Sequence, residues 1–327
     1  MFATRLASVA LLLAWTPLPV WAVEIDPHVP PDTEFYLSVN VRQLLESPLI
    51  KKNALQAIKE ALANAEEVNE VLKELGFDPF KDLDRVTVAG PVGKDADRGL
   101  MIVTGAFDVK KFEKRADTAA KDNADALKIN KVPLGGGATH LVYEVSVPGQ
   151  DQTLYVAVAN NKTILASPGK DYVVDALKAA RLKKKPLLKN KGFAAVVEKM
   201  ELKQAVTIAA AGKALAGLAD ADGLPESVRE AVGNIDAVAG GLSVGRELKL
   251  ELAVSTKEER TAGSVRRSAS KGVALALAGL ALLGEERKEL NLLIEVLKTV
   301  KVAGKGKVVS VSARLTADVL DDFFKKD

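Results

Sequence analysis

Arg85-Val-Thr-Val-Ala-Gly90, a polar loop holding Lys94-Asp-Ala-Asp97, and Leu100-Met-Ile-Val-Thr104 together decide the fold. Both outer runs are rich in β-branched residues and bounded by glycine and turn formers, so they predict a β-hairpin with a longer loop. Asp108 then predicts the cap of a helix reaching about Asp122. Upstream, Phe35–Val41 reads as a strand, and Ser47-Pro48 sets a cap and a first-turn proline before a helical segment. In that segment Leu55, Ile58, Leu62, Ala65, Val68 and Leu72 recur at three- and four-residue steps, giving one apolar stripe that Gly76 ends. Downstream, Thr139–Val147, Leu154–Ala159 and Thr163–Ala166 read as strands, the last two joined by Asn160-Asn161. Gly169 precedes a helix to about Arg181.

The same order of patterns returns after a basic run, Arg181–Lys191. Ala205–Ala209 stands where Phe35–Val41 stood, Asp236–Gly241 where Arg85–Gly90 stood, and Leu248–Val254 where Leu100–Thr104 stood. Thr256–Arg260 opens a helix as Asp108–Phe112 does, and Val308–Ser312 leads into Thr316–Phe324 as a strand-to-helix unit. The expected fold class is therefore α+β. Two tandem modules, read as duplicates on pattern order rather than identity, would each be a mainly antiparallel sheet with helices packed on one face. The expected boundaries are a leader at 1–22, a proline-rich spacer at 23–32, a first module at 33–182, a basic linker and helix at 183–203, and a second module at 204–327.

The leader is read from Met1–Arg5, the apolar run Leu6–Trp15, and the small-residue pattern Val20-Trp21-Ala22. It predicts a cleaved secretory signal, since the run is about half the ~20 residues that span a bilayer. The expected address is outside the cytoplasm, periplasmic or extracellular, with no transmembrane anchor after cleavage. The 327 residues carry 46 Lys and Arg against 43 Asp and Glu, a net charge of +3. That balance, with only 5% aromatic residues, argues against a nucleic-acid partner. There is no cysteine, which excludes disulfides, thiol catalysis and cysteine metal sites and leaves packing as the source of stability.

Several candidate chemistries lack necessary parts. Gly212-Lys213 follows a strand as a phosphate-binding loop would, but Thr207 stands where its first glycine belongs and Ala214 where its hydroxyl belongs. Ser268 and Lys271 have the spacing of a serine–lysine hydrolase without its companion motifs, and Ser167-Pro-Gly-Lys170 repeats that spacing in a turn. His28 and His140 are too few for a zinc set, and no nucleophile elbow accompanies His140. Asp95 with Asp97 and Asp220 with Asp222 lack the remaining ligands of a calcium loop. Glu66-Glu67, Glu258-Glu259, Glu285-Glu286 and Asp321-Asp322 read as solvated helix faces, and Gly135-Gly136-Gly137 as a flexible hairpin connection. No catalytic residue, metal or cofactor is expected.

One segment stands out. Gly272–Gly284 is apolar on every side yet too short to cross a membrane, which predicts a helix buried all round in the second half. Its small residues let neighbours approach closely, and Ala274, Ala278 and Leu282 are the candidate ligand-binding residues if it walls a cavity for lipid or another apolar ligand.

Gly76-Phe-Asp-Pro-Phe-Lys-Asp-Leu-Asp-Arg-Val-Thr-Val-Ala-Gly90 and Gly99–Asp108, with the Pro-x-Asp-Thr start at Pro30–Thr33, resemble uncharacterised exported bacterial proteins of planctomycete type. The resemblance implies export and fold and carries over no functional residue. The expected function is an exported, soluble, non-enzymatic binding or structural protein, acting on an apolar ligand or a protein partner. The alternatives are an extracytoplasmic lipid carrier and a serine–lysine hydrolase.

Overall fold

β-branched and aromatic residues place the strand β1 (Phe35–Val39) at the middle of a single antiparallel sheet rather than at the start of one module. The computed structural model describes residues 25–92, 98–146, 153–182, 186–198, 204–215, 226–282 and 288–319. The leader, Asp95, Asp97, Asp220, Asp222 and most of Thr316–Phe324 lie outside them.

On one side of β1 lie β2 (Leu83–Gly90), β3 (Leu100–Gly105), β7 (Thr163–Ser167), β6 (Thr153–Asn160), β5 (Ala138–Ser146) and β4 (Leu127–Gly135). On its other side lie β8 (Val206–Ala211), β9 (Ile235–Val244), β10 (Leu248–Thr256), β12 (Val308–Leu315) and β11 (Lys301–Lys305). The expectation of two sheets is corrected at one seam. β1 pairs with β2 through Leu37↔Val88 and with β8 through Leu37↔Ile208, so the sheet runs on without an edge. Ser38 and Thr207 are opposite one another there and fully buried. The open edges that two separate sheets would present are paired instead, which removes a site of strand addition.

The hairpin read from Arg85–Thr104 is β2–β3, with Val86 opposite Val103. That read from Leu154–Ala166 is β6–β7. β4 and β11, one at each edge, carry no strong strand pattern: Lys128, Lys131 and Pro133 interrupt the first, and the second is five residues with lysine at both ends. Edge strands built this way resist pairing with other chains.

Helices cover both faces, not one. The registers put Tyr36, Ala89, Leu100, Ile102, Leu165 and Ala157 on the back face, where α7 (Lys170–Arg181), α8 (Lys191–Val197) and the segment from Ile25 to Thr33 cover them. Leu100, Leu165, Val173 and Phe193 are fully buried there, each worth about 1.5–3 kcal/mol against exposure. The spacer is thus part of the core: Ile25 and Val29 are buried, His28 Nδ1 lies 2.7 Å from Asp26 Oδ1, and Lys189 N donates to Pro31 O at 2.8 Å. Strands apolar on both sides, such as Thr163-Ile-Leu-Ala-Ser167, require this double cover.

On the front face α1 (Val41–Glu46), α2 (Pro48–Asn53), α3 (Leu55–Ala63), α4 (Glu66–Leu75), α5 (Pro79–Asp82) and α6 (Val109–Asp122) lie over the first seven strands. The single long helix expected after Pro48 is broken at Ala54 and at Ala65, whose backbones leave the helical region. Gly76 ends α4 in the left-handed conformation (φ 64°), as its position predicts. α10 (Glu259–Leu282) and α11 (Lys288–Thr299) pack against β10–β12 on the same face. The connection from β8 to β9 (Gly212 to Asn234), which holds α9 (Glu226–Gly233), is much shorter than that from β1 to β2 (Asn40 to Asp82). Ile208, Leu250 and Leu252 on the front of the second half are each 43% exposed.

Candidate functional site

The front helical layer spans the sheet without closing on it. No described side chain of α1, α2, α3 or α5 is fully buried, although their inward positions are apolar. The breaks at Ala54 and Ala65 turn the stripe Ile58, Leu62 and Leu72 into an arch, and beneath it lies a cavity of about 520 Å³. That volume falls within the roughly 300–1,000 Å³ typical of small-molecule sites.

Each wall has a local cause. The floor is the sheet: Val86, Val103 and Ile164 share the front face through the pairs Val86↔Val103 and Val103↔Ile164. One end is aromatic, with Phe77 and Phe107 stacked at 5.3 Å between centroids and Phe80 and Phe112 beside them. Phe77 is fixed by its amide donating to Leu72 O (2.9 Å) at the end of α4, and Phe80 by Asp78, which accepts from its amide (3.0 Å) as the cap of α5. Phe107 donates its amide to Asn161 O, which ties it to the β6–β7 turn. The described lining is apolar apart from Asp108, whose Oδ1 accepts from Lys111 N (3.1 Å) to cap α6.

Asp108 apart, the charges near these walls stand outside the described lining. Arg42 pairs with Asp84 and Arg115 with Glu74. Lys81 Nζ is 2.8 Å from Asp78 Oδ2, and this hydrogen bond holds the Asp78 carboxyl below the usual carboxylate range. Lys59 Nζ sits 5.8 Å from the Phe80 ring centroid, and Lys111 Nζ lies against Gly76, 3.9 Å from Asp108 Oδ2. Behind α6, Phe112 meets Tyr143 edge-on at 5.3 Å. Burial, followed by the charges of Glu113 and Asp117, pushes the Tyr143 hydroxyl up to about 12.

The arrangement has no nucleophile–base pair and can hold an apolar group out of water. Among the described residues no three His, Asp or Glu side chains come together as metal ligands. Nor is any described helix long and apolar enough to cross a membrane.

The sequence-derived candidates lie elsewhere. The described part of the Gly272–Gly284 segment is not buried all round: Ala274 and Ala278 are exposed, and Leu275 is 62% exposed. Among the described residues no second layer encloses the helix at this spot. Ala274 and Ala278 do not line the cavity, and the side chain of Leu282 lies outside the described residues. Ser268 and Lys271 are exposed on the same helix. Gly212 is a packing glycine, since a Cβ there would run into the Ile235 carbonyl, and Lys213 pairs with Glu34. His140 Nε2 is 3.0 Å from Val158 O and donates to it. Of the cavity residues, Ile58, Leu62 and Leu72 were readable as part of an apolar stripe, and Gly76, Phe77, Pro79, Phe80 and Leu83 as the Gly76–Leu83 turn. Nothing in the sequence told that the stripe would stand off the sheet.

Fold and cavity define an α+β protein built on one antiparallel sheet with a half-open apolar pocket under its front helices. No family model matches the chain, and no curated protein matches it. Among solved structures it is similar to crystal forms of TP0453. Form III gives a TM-score of 0.43 at 11% identity over 92% of this chain and 97% of that one. Form I gives 0.44 at 11% over 92% and 96%, and form IV 0.44 at 10% over 93% and 98%. A likeness of this degree carries no information about what the chain binds.

Proposed function

We propose that the chain is a non-enzymatic binding protein that receives an apolar ligand between its front helical layer and the sheet. The observation that carries this reading is the cavity of about 520 Å³ whose described lining is apolar but for Asp108. A half-open apolar pocket of this size, with Ile58 of its wall 43% exposed, suits an occupant that takes the surface out of water. The lipid-carrier alternative drawn from the sequence is thereby favoured, with the site moved from α10 to the first helical layer.

The same reading takes the chain as exported, supported by the pattern of residues 1–22. It also takes the two strand runs, β1-β2-β3-β7 and β8-β9-β10-β12, as duplicate units of which only the first keeps a long front crossover. Titration of the purified protein with the uncharged probe N-phenyl-1-naphthylamine tests the site. Saturable fluorescence enhancement at one probe per chain is expected, reduced at least tenfold in affinity by Leu62→Trp, which fills the space. A probe that fails to bind, or binds Leu62→Trp equally well, overturns the reading.

A further inference from the structure

Resting on that reading, we infer that the ligand is a single-chain amphiphile with an anionic head, its acyl chain in the cavity and its head group held at the rim by Lys59 and Lys111. The tail follows from the lining, which offers no hydrogen-bonding side chain other than Asp108, itself engaged as a helix cap. The size follows from the volume: about 520 Å³ lies in the lower half of the roughly 300–1,000 Å³ range of small-molecule sites, which suits one chain better than two.

The sign of the head follows from how the rim charges are engaged. Arg42, Arg115 and Lys81 are each held in a close ion pair with a carboxylate. Lys59 instead has the face of the cavity residue Phe80 beneath its ammonium at 5.8 Å. Lys111 lies against the cavity residue Gly76 and reaches Asp108 only at 3.9 Å. These two ammonium groups flank the Gly76–Phe80 segment, where a carboxylate or phosphate would find them loosely engaged. A cationic head would meet both ammonium groups as repulsion and gain only Asp108, which already has Lys111 beside it, as an attraction. A free fatty acid and a lysophospholipid share this chemistry.

The test uses the whole protein with N-phenyl-1-naphthylamine bound, displaced by straight-chain fatty acids from ten to eighteen carbons, by the matching n-alcohols, and by lysophosphatidylglycerol. Affinity should rise about fourfold per methylene, the equivalent of about 0.8 kcal/mol, until the chain fills the cavity. Acids should bind about two- to fivefold tighter than their alcohols, the range of an exposed charge contact. Lys59→Gln and Lys111→Gln, both at exposed positions, should each reduce that advantage, as should 1 M salt. Stronger displacement by lysophosphatidylglycerol than by the acids would mark a lipid head group as the source, and the reverse a free acid. Bound probe displaced equally by acids and alcohols, or equally by all chain lengths, overturns this inference while the cavity reading stands. Absence of probe binding overturns both.

Discussion

Asp108 holds two positions at once, capping α6 and lining the cavity, and the two can be separated by substitution. Asp108→Asn keeps an oxygen for the Lys111 amide, so thermal stability should stay within about 0.5 kcal/mol of the parent. Asp108→Ala removes the cap and should cost about 1 kcal/mol. Calorimetric melting of the two variants checks this. Tyr143 gives a pH signature. Its folded pKa lies above the ordinary tyrosine value, so its contribution is fully present below about pH 10 and is lost as pH rises towards about 12. Urea midpoints measured across that window should therefore fall, and Tyr143→Phe should flatten the fall. A parallel decline in both proteins would contradict the assignment.

At the scale of elements, the parts legible in the sequence are those whose pattern is local. The hairpins β2–β3 and β6–β7, the cap at Asp108 and the stop at Gly76 all follow from residues within a few positions of one another. The parts not legible depend on what lies opposite. Ala54 and Ala65 are good helix formers, and only the preceding Asn53 and Asn64 mark the breaks locally, a signal too weak to divide the helix on sequence alone. Likewise Gly272–Gly284 reads as core because its composition is apolar, but burial needs a partner layer, and the described residues supply α10 with one on one side only. Gly212 shows the reverse case, a glycine whose motif suggests phosphate binding and whose structure demands contact with Ile235 O. Gly212→Ala should therefore destabilise the protein by about 1–3 kcal/mol, as overpacking does. Gly233→Ala, with open space around its Cβ position, should not. Denaturant titration of the pair distinguishes them.

For the whole molecule, the seam between β1 and β8 is the decisive feature. Backbone pairing from Phe35↔Ala210 to Val39↔Val206 makes one sheet of what the pattern offers as two. The protein should therefore unfold in one transition, with far-ultraviolet circular dichroism and a fluorescent reporter at Phe107→Trp giving coincident urea curves. Two separated transitions would mean that the halves are energetically independent. Pairing across the seam also imposes a timetable on biosynthesis. β1 leaves the ribosome long before β8, and at about 5–20 residues per second the roughly 170 intervening residues take on the order of ten seconds or more. Through that interval a nascent chain carries Phe35-Tyr-Leu-Ser-Val39 with one flank vacant, a segment that a holdase chaperone would be suited to shield until its second neighbour emerges.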